Sequence, residues 1–96
     1  MMDAALLPES VWADLDEAQR HMLLAVARDA QAVYGDQRLE SGESTWPHAL
    51  AMASLAAELR LDVTARAAAL LFAMPNQQGF DRDRFEQQYG LDIARL

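Results

Sequence analysis

The sequence predicts an all-α protein, folded as a bundle of helices. Alanine and leucine dominate the apolar residues, which make up 52% of the chain, whereas the strand-favouring Val, Ile, Tyr and Phe are scarce. Apolar residues also recur every three or four positions along the longer segments, as they do on one face of a helix. A chain of 96 residues can build one small core. We therefore expect residues 1–96 to form a single helical domain, or part of a larger one.

The first two predicted helices begin at recognisable start signals. Pro8 and Glu9 open a short amphipathic segment that reaches Leu15, because proline and acids suit the first turn of a helix. Asp16 is placed to cap a longer helix over residues 17–34. The positions of this helix that we expect to face the core are Ala18, Met22, Val26, Ala30 and Val33.

A polar stretch over residues 35–45 separates this helix from the third. It contains two glycines, an aspartate and two serines, so it is predicted to be a loop, and loops of this size are often functional. Pro47 suits the first turn of a third helix, which is predicted to run to Arg60. That helix carries small side chains, which would let a neighbouring helix approach closely: Ala49, Ala51, Ala53, Ser54, Ala56 and Ala57.

The fourth helix is predicted over residues 63–74, with Asp62 as its N-cap. From Ala67 onward it is apolar on every face, so we expect it to be central and buried. Proline and glycine in the segment 75–79 should end it.

The C-terminal part of the sequence predicts two further short elements. Asp81 begins a helix that carries Phe85 and Tyr89, and Gly90 closes it. Residues 91–96 begin another amphipathic pattern, which stops with the sequence. We therefore expect the native protein to continue beyond the last residue.

Composition excludes several classes of function. The net charge of −7 disfavours both a nucleic acid backbone and an anionic membrane surface as partners. The chain has no cysteine, so disulfides and thiolate metal sites are excluded. Residues 1–7 lack the basic start of a signal peptide, and the longest apolar run, 67–75, is far below the ~20 residues that span a bilayer. We expect a cytoplasmic protein.

Four blocks of sequence carry a resemblance to a known family. They are an Arg-x-x-Ser-Gly-Glu loop at 38–43, His48 ahead of a small-residue helix, Ala-Glu-Leu-x-Leu-Asp at 57–62, and Ala-Ala-Leu-Leu at 68–71. Over residues 25–96 the chain resembles the N-terminal HD hydrolase domain of the RelA/SpoT enzymes, which make and degrade (p)ppGpp. The resemblance implies an HD-domain-like helical bundle, of which this chain would be the N-terminal part.

The resemblance also implies where a metal site would lie. In active members of that family a divalent metal, usually manganese, activates water against the pyrophosphate linkage. The metal-ligand positions and the acidic pair that assists the water fall here on Tyr34, His48, Phe72, Ala73, Asn76 and Gln77, and a further ligand would lie beyond residue 96. Phe72 and Ala73 offer no donor to a metal, and Asn76 and Gln77 cannot ionise to act as bases. We therefore expect neither a metal nor another cofactor in this chain.

The loop at 38–43 would border the guanine pocket in active relatives. By the same resemblance it is a vestigial nucleotide loop formed by Arg38, Leu39, Ser41, Gly42 and Glu43. The arginine that packs on the base in the family falls on Leu39, with Arg38 one place away. Glu40 adds a charge that repels a phosphate-rich ligand.

Structural roles compete with functional ones at several single residues. His48 alone is better explained by hydrogen bonding at a helix start than by metal binding. Capping and solvation explain Asp62 and Glu58 better than acid–base catalysis does. Trp12 and Trp46 could stack on a nucleotide, but packing in a core or an interface is the stronger expectation.

Three hypotheses follow. The first is a catalytically inactive pseudo-hydrolase segment of a RelA-type (p)ppGpp synthetase, a GTP pyrophosphokinase, which would pack against the synthetase domain of the same protein. The second is a free-standing helical interaction module, and the third a residual hydrolase that uses other acids. We also expect self-association of the chain through exposed apolar helices.

Overall fold

The computed structural model describes residues 6–77 and 79–94, and for residues 91 and 94 only the backbone. It contains α1 (Glu9–Trp12), α2 (Glu17–Tyr34), α3 (Thr45–Glu58), α4 (Val63–Leu70), a 3-10 turn (Met74–Asn76), α5 (Arg82–Tyr89) and α6 (Leu91–Ala94). Two predictions fall partly outside the described residues. They are the absence of a signal peptide, which concerns residues 1–5, and the last predicted helix, which includes residues 95–96. The described residues form no strand beyond an isolated bridge between Arg38 and Ser44, so the predicted all-α bundle is confirmed.

Helix α4 lies at the centre of the bundle, packed on α2, α3 and α6, while α1 packs on α3. Alanines at the contacts, including Ala49, Ala53 and Ala67, are fully buried and let the helix backbones approach closely. No helix among the described residues is both long enough and apolar enough to cross a bilayer.

The predicted helix caps are confirmed. Asp16 forms a capping box, in which its carboxylate accepts from the Gln19 amide at 2.8 Å and the Gln19 side chain accepts from the Asp16 amide at 3.2 Å. The carboxylate of Asp62 accepts from the Ala65 amide at 3.0 Å. Asp81, which was predicted only to begin its helix, is also a cap, because its carboxylate accepts from the amides of Asp83 and Arg84.

The predicted buried face of α2 is wrong in part. Ala18 is exposed, Val33 is 40% exposed and Met22 is half-buried. The buried positions are Leu23, Val26, Ala27, Ala30 and Tyr34. Both sets are compatible with one face of a helix and share Val26 and Ala30, so periodicity alone does not choose between them. Which set is buried depends on the helices that α2 packs against. Tyr34 is buried because its hydroxyl bonds the backbone at the end of α4.

The prediction that Pro47 lies in the first turn of α3 is confirmed, because the helix begins at Thr45. Its predicted C-terminus is two residues too late, since the helix ends at Glu58 instead of Arg60. It ends because the Arg60 amide donates to the Ala57 carbonyl and the Leu61 amide donates to the Ala56 carbonyl, the two bonds of a Schellman motif. Arg60 adopts the left-handed conformation that this motif requires, with φ of 60°, where glycine is the usual residue.

Helix α4 is shorter than predicted. It ends at Leu70, and the chain continues through a turn into the 3-10 segment that contains Pro75. Proline lacks the amide that a continued helix would need, and its ring would clash with the carbonyl four residues earlier, that of Leu71. The expectation of burial on every face is also wrong in part, because Ala68, Ala69 and Phe72 are only half-buried.

A buried arginine fastens the N-terminal segment to α4. Arg66 is 1% exposed. Its guanidinium makes a bidentate pair with the Asp14 carboxylate at 2.8 and 2.9 Å, and also donates to the carbonyls of Val11 and Leu61. The hydrogen bond from Arg66 holds the pKa of Asp14 at about 2, below its ordinary 3.8. The paired carboxylate therefore stabilises the fold above about pH 4, and this contribution is lost as the pH falls toward 2.

We expect Asp14→Asn to lower the melting temperature at neutral pH, because it leaves the Arg66 guanidinium buried without its counter-charge. The difference from wild type should shrink between about pH 4 and pH 2, as wild-type Asp14 becomes protonated. Thermal melts across this range measure it. Asp36→Asn, the same charge change on an exposed loop residue, should show neither effect, and equal behaviour of the two variants would contradict the pairing.

Candidate functional site

Four residues from three parts of the chain converge where α2 ends. They are Tyr34 from the last turn of α2, His48 from the first turn of α3, and Phe72 and Ala73 from the turn after α4. The rings of His48 and Phe72 lie 5.3 Å apart between centroids, and those of Tyr34 and Phe72 lie 6.4 Å apart, edge to face. The positions that the sequence assigned to one site are therefore neighbours in space.

The hydroxyl of Tyr34 is fully committed to the backbone. It donates to the Leu70 carbonyl at 2.8 Å and accepts from the Ala73 amide at 3.2 Å. Tyr34 is completely buried, and this burial raises its pKa to about 12, against an opposing effect of the Ala73 amide. At neutral pH the side chain is thus an uncharged phenol that joins α2 to the end of α4.

His48 occupies the more open side of this cluster. Its side chain is 33% exposed, and its Nδ1 lies 3.4 Å from the Glu43 carboxylate. One edge of the imidazole therefore meets an acid from the preceding loop, while the ring packs against Phe72.

The loop before α3 is tied by its own hydrogen bonds. The Leu39 amide donates to the Glu43 carbonyl at 2.8 Å, and the Gly42 amide donates to the Leu39 carbonyl at 2.8 Å. The Arg38 guanidinium donates to the Gly42 carbonyl at 2.8 Å, and Gly42 has a φ of 94° that favours glycine. The Ser41 hydroxyl lies within 3.5 Å of the Glu43 amide and carboxylate.

This loop and the 3-10 turn enclose a cleft of about 640 Å³. The residues that line it are Gln37, Arg38, Leu39, Glu40, Ser41, Glu43, Thr45, His48, Ala73, Asn76 and Gln77. The structure therefore gathers most of the predicted site residues around one opening. Tyr34, Gly42 and Phe72 are not among its walls, and Gln77 is held by a hydrogen bond from its side-chain amide to the Ala73 carbonyl at 3.1 Å.

The residues at the converging positions do not fit a divalent metal. A hard cation needs several nitrogen or oxygen donors directed at one point. Phe72 and Ala73 have no donor in their side chains, and the Tyr34 hydroxyl already bonds two backbone groups. Across the described part of the chain, no group of three or more His, Cys, Asp or Glu side chains comes together in a way that could hold a metal.

Sequence reasoning missed two polar residues of the cleft, Gln37 and Thr45. Thr45 was assigned to the loop, but it is the first residue of α3 and is only 2% exposed. No pattern in the sequence indicates burial of a threonine at a helix start. Its burial follows from the fold, in which the Thr45 amide donates to the Gln37 carbonyl at 2.9 Å and so holds the start of the loop beside it.

The remaining candidate residues lie outside the cleft, in the core or at the surface. Trp46 belongs to the core. Trp12 is half-buried and packs under the Arg20 guanidinium, 5.2 Å from the ring centroid. Glu58 is exposed.

The all-helical bundle is thus an HD-type domain in its fold, with a cluster of aromatic side chains at the centre of the candidate site. A family model for the HD domain matches residues 30–96, and the chain belongs to the HD domain family. No curated protein and no solved structure matches the chain.

We expect Tyr34→Phe to lower the free energy of unfolding by about 1–3 kcal/mol, because two buried backbone groups each lose a partner. Urea unfolding at neutral pH measures the loss. Tyr89→Phe is the matched control, since its half-buried hydroxyl donates to the Asp29 carboxylate at 2.9 Å near the surface and should matter less.

Tyr34→Phe should also change how the stability of the protein depends on pH in the alkaline range. A phenol whose pKa is raised from 10 to about 12 on folding contributes stability below pH 10 that is lost as the pH rises toward 12. This loss should be smaller in Y34F than in wild type. An unchanged alkaline profile together with an unchanged midpoint in urea would contradict the bridging role of the hydroxyl.

Proposed function

We propose that this chain is a catalytically silent HD domain, a pseudo-hydrolase. The observation that carries the proposal is the convergence of Tyr34, His48, Phe72 and Ala73, in which backbone hydrogen bonding and ring packing stand where a hydrolase of this type needs metal ligands. A single imidazole does not hold a divalent ion against water. Asn76 and Gln77 in the adjacent cleft cannot take up a proton from water as general bases.

The parent protein that we propose is a RelA-type (p)ppGpp synthetase, a GTP pyrophosphokinase of the stringent response. Support comes from the Arg-x-x-Ser-Gly-Glu loop, its spacing to His48, and the Ala-Ala-Leu-Leu block of α4. In such a protein the pyrophosphate transfer would belong to a separate synthetase domain. This chain would then have a structural or regulatory role toward that domain, without a cofactor of its own and in the cytoplasm.

The vestigial nucleotide loop fits this proposal. Arg38, Leu39, Ser41 and Glu43 border the cleft, and Gly42 provides the turn between them. The Arg38 guanidinium is turned to the Gly42 carbonyl, and both Glu40 and Glu43 line the same opening. Two carboxylates at the rim disfavour a polyphosphate.

Manganese distinguishes a silent domain from an active one. We expect about 1 mM manganese to leave the melting temperature of the wild type unchanged, because a ligand stabilises only a fold that binds it. The triple variant Y34H/F72H/A73D restores donors at three positions around His48 and should gain manganese binding, measured as loss of the free-ion signal in electron paramagnetic resonance. Adding H48A to the triple variant should reduce that binding.

Either of two results would contradict the proposal. One is a manganese-dependent rise in the melting temperature of the wild type. The other is release of pyrophosphate from ppGpp by wild-type protein in the presence of manganese, which would instead support the residual hydrolase that uses other acids.

A second candidate function, that of a helical interaction module, is favoured by one apolar surface. Leu55 is 56% exposed, Leu59 63% and Leu61 43%. Leu55 and Leu59 are one helical turn apart, and the Schellman motif holds the Leu61 amide 3.0 Å from the Ala56 carbonyl in the last turn of α3. We call these three residues the α3 leucine patch. Exposed apolar groups that cluster in this way are typical of contacts between proteins.

If the α3 leucine patch mediates self-association, sedimentation velocity should show a concentration-dependent dimer of the wild-type chain. The double variant L55Q/L59Q should then be monomeric, because it removes two of the three apolar side chains. V33Q, at an exposed apolar residue of α2, serves as the control and should retain the dimer. A wild type that stays monomeric at all concentrations would remove this candidate.

A further inference from the structure

The outward face of α3 lacks the charged residues that a helix facing water normally carries. No residue in the stretch 49–57 is charged, although 24% of the whole chain is. Within this stretch Ala51 and Leu55 are exposed and Met52 is half-buried. The apolar surface of the α3 leucine patch therefore extends back along the helix, as it does on helices that meet another protein surface.

Two opposite charges flank the α3 leucine patch. Glu58 and Arg60 are the sequence neighbours of Leu59, and both line a depression between the N-terminal segment and the end of α3. Both residues are exposed, and neither side chain forms a hydrogen bond or an ion pair with any residue that the structure describes. One acid and one base beside an apolar centre make a surface that is complementary to a second copy of itself.

We propose that the α3 leucine patch is the interface of a symmetric dimer, in which Glu58 of each copy pairs with Arg60 of the other. This inference rests on the second candidate function, that of an interaction module, and names its partner. In a two-fold contact residue i of one copy meets residue j of the other, and residue j meets residue i. An axis beside Leu59 therefore forms both ion pairs at once and lays the two copies of Leu59 against each other.

The area and the charges of the patch favour a second copy as its occupant. The same axis brings Leu55 of each copy toward Leu61 of the other, so the exposed leucines cover one another. Each chain carries a net charge of −7, so two copies repel at long range, but the two ion pairs compensate the charges beside the contact. An interface of this size is at the small end of the range, and we expect a dissociation constant on the order of 10–100 μM.

Charge reversal tests the pairing, with sedimentation velocity as the measurement. Glu58→Arg and Arg60→Glu should each raise the dissociation constant of the dimer at least about tenfold, because each sets like charges opposite one another at two points. The double variant E58R/R60E exchanges the two charges and should dimerise as the wild type does. Glu40→Arg is the control, since it makes the same change beyond the opposite end of α3, and it should also leave the dimer intact.

Mixing the two single variants tests whether the pairs form between copies. A chain with Glu58→Arg and a chain with Arg60→Glu compensate each other at both points, so an equimolar mixture should form a heterodimer at concentrations where each variant alone is monomeric. Circular dichroism checks that each chain is folded. If Arg60→Glu does not fold, Arg60→Gln takes its place, and loss of the charge should still weaken the dimer.

Three results would overturn the proposal. They are a wild type that is monomeric at all concentrations, single charge reversals that dimerise as the wild type does, and a mixture of the two that stays monomeric. A dimer that L55Q/L59Q abolishes but the charge reversals leave intact would retain the interaction module and remove the pairing. None of these results involves manganese, so they are distinguishable from failure of the proposed pseudo-hydrolase function.

Discussion

The hydroxyl of Tyr34 is the contact on which the geometry of the candidate site depends. Helix α4 ends inside the protein, where water cannot satisfy the backbone groups that a helix terminus leaves without partners. The phenol supplies a donor to the Leu70 carbonyl and an acceptor to the Ala73 amide. With both groups satisfied, the chain can leave the helix, place Phe72 against His48 and continue into the 3-10 turn that forms one wall of the cleft.

A second buried polar group acts near the other end of α4. This helix is short and rich in alanine, so its own side chains offer little area to hold it in place. Arg66 compensates, because its guanidinium reaches the Asp14 carboxylate and the carbonyls of Val11 and Leu61. The central helix is therefore fixed near both ends by hydrogen bonds, while alanine contacts along its length permit close packing against α2 and α3.

The side chains that join the helices at the candidate site also bear on the proposed function. A phenol and two further rings join the helices that meet at the candidate site. On the proposed function, these side chains stand where an HD hydrolase would use a metal. A neutral phenol can be buried at lower cost than a cluster of charged ligands without its ion. On the proposed function, loss of catalysis and retention of the fold have the same origin, since the side chains that replaced the ligands also hold the helices together.

The sequence by itself determined the helical class and the caps at Asp16 and Asp62, because these depend on local spacing and residue type. The positions of the candidate site came from the resemblance to the RelA/SpoT enzymes, which local spacing alone does not supply. The tertiary structure decided which face of α2 is buried, where α4 stops, and that Arg66 and Thr45 are enclosed. Two overlapping sets of apolar residues on α2 fit the same helical period, and the packing of α2 on α4 and α3 selects between them. Burial of a polar side chain depends on partners that are distant in sequence, 52 residues apart for Arg66 and Asp14, and no local pattern records such pairs.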